Sequence, residues 1–156
     1  MACPFFMPIE KLENGTWLHA SRLPLGCGWS GHCTAPGHEG EAPSPEELRD
    51  FCNLGYAESC ARLPQHRAWD SVRFGARTVG NGAGSGSRRR IQVSYICERS
   101  HRPAGHGFLQ FDAYEDEARC STPHPDSRLQ RMAECFLASY LEGRKNQQDA
   151  TQAAAG

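Results

Sequence analysis

Five cysteines, Cys3, Cys27, Cys33, Cys52 and Cys60, fall within the first 60 residues, in a stretch too punctuated to carry ordinary secondary structure throughout. Pro4, Pro8, Pro24, Pro36, Pro43, Pro45 and Pro64 recur along it, with Gly26, Gly28, Gly31, Gly37 and Gly40 between them. A half-chain of loops buries little apolar surface of its own, so another constraint has to hold it together. With 16 Gly, 10 Pro and 8 Cys among 156 residues, cysteine ligation is the nearest candidate.

The spacing of the five is C-x23-C-x5-C-x18-C-x7-C, and nowhere in it is the C-x2-C of a zinc knuckle or ribbon. A thiolate-ligated cluster concentrates negative charge and needs backbone N–H groups and small residues close to its sulfurs. Gly26 and Gly28 bracket Cys27, Gly31 precedes Cys33, and Pro4 follows Cys3. A 4Fe-4S cluster takes four ligands. Cys33, Cys52 and Cys60 form the core of the expected set, because a predicted helix and the turn after it bring the last two together. Cys3 is the expected fourth: Phe5 and Phe6 have no role in so short a terminal segment unless it docks, and a ligand at residue 3 would dock it. Cys27 and His38 are alternative ligands, and a zinc site from Cys27, Cys33, His38 and Cys52 or Cys60 is allowed by spacing. Cys97 and Cys135 fall on apolar faces and read as small buried hydrophobes; Cys120 falls in a loop.

Ser44, Pro45, Glu46 and Glu47 open a helix, and Asn53-Leu54-Gly55 can end it. A short turn from Tyr56 to Leu63 then carries Cys60. From Trp69 the pattern changes to alternation, with Val72, Phe74 and Ala76, then Ile91, Val93, Tyr95 and Cys97, then Leu109, Phe111 and Ala113. These predict three antiparallel strands joined by Gly80–Ser87 and by a ten-residue connection, Glu98–Gly107. Leu129, Met132, Ala133, Phe136, Leu137, Tyr140 and Leu141 predict an amphipathic helix lying on the open sheet face. The expected fold class is α+β, with a loop-rich, Cys-rich N-terminal lobe on a small three-stranded antiparallel sheet covered by a C-terminal helix. One domain, 1–144, is expected to combine a metal-binding lobe (1–68) with the meander and helix (69–144), and 145–156 to form a disordered tail.

The 17 Lys+Arg and 18 Asp+Glu leave a formal charge of -1, so nucleic acid is not the expected partner. The basic run Arg88-Arg89-Arg90, with Arg99 and Arg102, reads as a charged strand edge. No apolar run approaches the roughly 20 residues of a membrane helix. The opening Met-Ala-Cys-Pro lacks the pattern of a leader, so a reducing cytoplasmic location is expected. The glycine run at 80–86 lacks the Gly-Lys-Ser/Thr of a phosphate loop. Neither a Ser/His/Asp order nor an H-E-x-x-H is present, and His101, His106, His124, Asp70 and the acidic run Asp112–Glu117 form no spaced catalytic pair, which leans the reading away from an enzyme. The expectation is a small metal protein with one iron-sulfur (4Fe-4S) cluster, used in electron transfer to a redox partner protein or in redox sensing. The alternative is a zinc-stabilised interaction module that binds a partner protein or nucleic acid.

Overall fold

A computed structural model of the chain describes residues 1–13, 23–81, 89–114 and 117–154. The N-terminal segment, for all its prolines, forms a strand. β1 (Phe6–Lys11) pairs antiparallel with β2 (Trp29–Cys33), bringing Phe6 opposite Cys33 and Pro8 opposite Gly31. Pro8 has no N–H to donate, which a two-stranded ribbon tolerates because both strands are edges. Gly31 allows the close approach: a Cβ there would run into the Met7 carbonyl.

The Cys-rich lobe continues with α1 (Pro45–Glu47), which widens directly into a π-helical turn, Leu48–Asn53. Its start follows the sequence expectation. Ser44 Oγ accepts the Glu47 N–H while the Glu47 carboxylate accepts the Ser44 N–H, a reciprocal capping box. Its end is also as expected, at Asn53, followed by Leu54 and a left-handed Gly55 (φ 82°). A 3-10 turn, Ala57–Ser59, then delivers Cys60.

Four strands follow in sequential order, β3 (Ser71–Asn81), β4 (Arg89–Arg99), β5 (Arg102–Tyr114) and β6 (Glu117–Cys120), each antiparallel to the next. The expectation of a single three-stranded sheet is therefore corrected: there are two sheets, of two and four strands. β6 escaped notice because it is a four-residue edge whose Glu117 and Arg119 are exposed, leaving only Ala118 and Cys120 to suggest alternation. The ten-residue connection expected after β4 is instead mostly strand. Only Ser100 and His101 turn, both with positive φ (49° and 60°), as a two-residue type I′ hairpin requires. Asp70 compensates for the missing Asn-Gly signal: its carboxylate accepts the Ser100 N–H at 2.6 Å and the Arg67 guanidinium at 2.6 Å. The glycine-rich connection at 82–87, Arg88, and Glu115 and Asp116 lie outside the described residues.

α2 (Ser127–Ala154) covers one sheet face and packs on β1 as well. Its buried stripe is Leu129, Met132, Ala133, Cys135 and Leu137. Leu137 and Ala133 join Ile91, Val93, Leu109 and Phe111 in one apolar cluster, while Met132, Leu129 and Cys135 join Ala2, Phe6, Trp29 and Val72 in the other. Arg131 reaches back to donate to the Pro8 and Ile9 carbonyls. The helix continues through Lys145 to Ala154, the stretch expected to be a disordered tail. Among the described residues no helix is long and apolar enough to cross a membrane.

Candidate functional site

The N-terminus docks. Ala2 forms a two-bond bridge with Val72 of β3, its N–H donating at 2.7 Å and its carbonyl accepting at 2.9 Å. Cys3-Pro4-Phe5-Phe6 then turns, with the Phe6 N–H donating to the Cys3 carbonyl, and Pro4 occupies the place a β-turn favours for proline. Phe5 presents its carbonyl to both the N–H and the hydroxyl of Thr34, at 2.8 and 2.9 Å, which ties this turn to the residue after Cys33. At the other side Gly55 presses on the Met1 backbone, tying it to the loop between Cys52 and Cys60.

Cys3, Cys33, Cys52 and Cys60 lie in or beside the segments that these contacts tie together. Burial pushes the Cys3 thiol up to about 12, and the charges of Cys60 and Cys33 act in the same direction. Burial also drives the Cys52 thiol well above its ordinary value, with further increments from Cys3, Cys60, Cys33 and Glu47. Each of the four thus lies within electrostatic reach of others in the set. Backbone N–H groups also face the sulfurs: those of Phe5 and Phe6 oppose the rise at Cys3, and that of Ala35 donates to Cys33 Sγ at 3.4 Å. Cys3 and Cys33 are buried, Cys52 and Cys60 partly exposed. Among the described residues, no three or more His, Cys, Asp or Glu side chains converge closely enough to hold a single ion.

Asn53, beside Cys52, is the hub that the sequence reading treated only as a helix end. Its side-chain oxygen accepts the Trp29 N–H at 2.8 Å, and its amide donates to the Trp29 and Leu48 carbonyls at 3.0 and 2.9 Å. Two of these bonds lock the helix that carries Cys52 to Trp29, at the start of the strand that ends in Cys33, and the third closes on the helix itself. Arg62 makes a second clamp, donating to Glu47 through Nε and Nη2 and to Glu41 through Nη1.

The alternative ligands lie elsewhere. Cys27 Sγ is 3.0 Å from Ser139 Oγ on α2, near Lys11 and Glu142. His38 Nδ1 faces the Glu41 carboxylate at 2.9 Å. Cys97 and Cys135 are buried in the core, and Cys120 Sγ donates to the Thr122 carbonyl. His124 bonds the Tyr95 hydroxyl, His101 lies in the β4–β5 turn facing Glu58, and His106 is exposed on β5. No family model, curated protein or solved structure matches this chain.

Proposed function

We infer that Cys3, Cys33, Cys52 and Cys60 together hold one 4Fe-4S cluster, and that the protein uses it to transfer electrons to a partner protein or to sense oxidants. The observation that supports the reading is that four cysteines, 57 positions apart at the extremes, lie within electrostatic range of one another in the core-packed N-terminal lobe. A cluster brings its own sulfides and is wider than a bare ion, so its four cysteine ligands stand further apart than the ligands of a zinc ion. The backbone N–H groups at Cys3 and Cys33 supply the hydrogen bonds that thiolate sulfurs of a cluster accept. All eight cysteines stand outside disulfides, which fits the reducing conditions of cytoplasm.

Electron exchange needs the centre near the surface. Cys52 and Cys60 lie on the partly exposed side, and Met1, Leu54 and Tyr56 expose apolar surface beside them, a surface suited to brief docking of a redox partner. Anaerobic reconstitution of the full chain with ferrous iron and sulfide tests the reading. Four irons per chain with broad charge-transfer absorption are expected, lost in Cys52→Ala and Cys60→Ala and kept in Cys97→Ala. If both single variants load to wild-type stoichiometry, the ligand set is wrong. One zinc per chain and no redox wave would establish the interaction module instead.

A further inference from the structure

We propose that the free edge of β3 pairs with the same edge of a second copy of this chain, in a two-fold antiparallel register centred on Ala76. β3 is the outer strand of the four-stranded sheet. Val72 turns both its backbone groups outward to Ala2, donating at 2.9 Å and accepting at 2.7 Å. An antiparallel strand presents such groups to each side at every second residue, so Phe74, Ala76 and Thr78 turn theirs the same way. Among the described residues no strand pairs with them. The open span is bounded at one end by Met1 and Ala2, and at the other by the bulge between Thr78 and Gly80, where the strand bends.

Monomeric proteins guard such an edge with proline or with charged side chains. β3 has no proline, and its two charges lean inward across the sheet instead of over the edge. Arg73 bonds Glu98 of β4 at 2.6 Å, and Arg77 bonds Gln92 of β4 through Nε and Nη2 at 2.8 and 2.6 Å. The placement of these two arginines also selects the occupant and its register. Two-fold pairing is isologous, so the strand must be complementary to itself. Centred on Ala76, that residue exchanges both backbone bonds with Ala76 of the second copy, and Phe74 does so with Thr78. Arg77 then lies opposite Gly75, which has no side chain, and Arg73 opposite Val79. Centring one residue earlier would set Arg73 opposite Arg77, and one residue later would set Arg77 opposite itself. Like charges facing across paired strands are destabilising, so Ala76 is the centre that avoids both.

Sedimentation velocity on the full chain over a concentration series tests this. The mass is expected to rise from the 17.2 kDa of one chain towards that of two. Ala76→Pro removes an outward N–H that the β3–β4 ladder does not use, and is expected to hold the chain at the single mass. Two substitutions at Gly75 separate pairing from folding, since a Cβ there meets only Ser94 Oγ, at an ordinary 3.6 Å. Opposite Arg77 of the second copy, Gly75→Lys is expected to weaken the dimer roughly three- to tenfold and Gly75→Glu to tighten it by a similar factor. A chain that stays single at every concentration overturns the proposal, as does a dimer that folded Ala76→Pro leaves intact. Should Ala76→Pro fail to fold, the Gly75 pair decides: dimerisation that both shift in the same direction, or that neither shifts, lies on another surface and overturns the β3 pairing.

Discussion

Gly55 packs against the backbone of Met1, with no room for a side chain between them. Its φ of 82° also lies where only glycine is at ease. The loop between Cys52 and Cys60 thus meets the segment that begins with Cys3 through a residue that can be nothing larger. Gly55→Ala is expected to lose roughly 1–2 kcal/mol from the left-handed backbone alone, with the clash against Met1 adding to it. On the proposed cluster reading, iron uptake should fall further than global stability does, since displacing Met1 moves Cys3. Uptake and thermal unfolding measured together check this, and a variant that melts low but loads fully would separate the N-terminus from the site.

Asn53 satisfies three backbone groups from inside the lobe, and Trp29 has both its N–H and carbonyl engaged there. Asn53→Ala leaves buried donors and acceptors without partners, each at about 1–3 kcal/mol. The expected loss is roughly 2–4 kcal/mol, measured by denaturant unfolding. Asn53→Asp should do nearly as badly, since a carboxylate can accept from the Trp29 N–H but has nothing to donate to the two carbonyls.

Local rules made part of this molecule legible. Ser44 to Glu47 carry a capping box in four residues, and the helix starts there. The alternation through Ile91, Val93, Cys97, Leu109 and Phe111 marks strands whose inner faces are buried. The two strands β1 and β2 were not legible, because Pro8 argues against a strand until one knows that it lies on an edge, and Gly31 packs on a carbonyl 24 positions away in sequence. The hairpin at Ser100 and His101 was missed because the group that supports it, Asp70, lies 30 residues upstream. The docking of the N-terminal segment was argued from Phe5 and Phe6, whereas Asn53 and Arg62 gave no local sign, since what they bind is remote backbone and remote carboxylates.

Phe136 and Leu137 occupy the centre of the helical stripe, yet the structure treats them differently. Leu137 is buried, while Phe136 is half-buried and stacks on Phe74 with centroids 5.8 Å apart. Leu137→Ala is therefore expected to cost about 2–5 kcal/mol, through lost burial and the cavity left among Ile91, Val93 and Phe111. Phe136→Ala should cost less than Leu137→Ala, because water can enter where the ring was. Urea unfolding of the two variants side by side tests the order, and a reversed order would mean the helix lies rotated on the sheet.

Asp70 offers a pH test of the β4–β5 turn. The Ser100 N–H, followed by the Arg67 guanidinium, holds its carboxyl below the usual carboxylate range against the opposing effect of burial. A carboxyl whose pKa is lower in the native state binds fewer protons there than in the unfolded chain, so stability falls as pH falls. The contribution is fully present above the unfolded value of about 3.9 and is lost as pH drops through the native one. Asp70→Asn has no such titration. The gap in unfolding free energy between wild type and Asp70→Asn should therefore be widest near neutral pH and narrow below about pH 4, while the other lowered carboxyls, Glu47, Asp50 and Asp126, cancel between the two proteins. A gap that stays constant from pH 7 to pH 3 would show that Asp70 supports the turn by shape alone, without its charge.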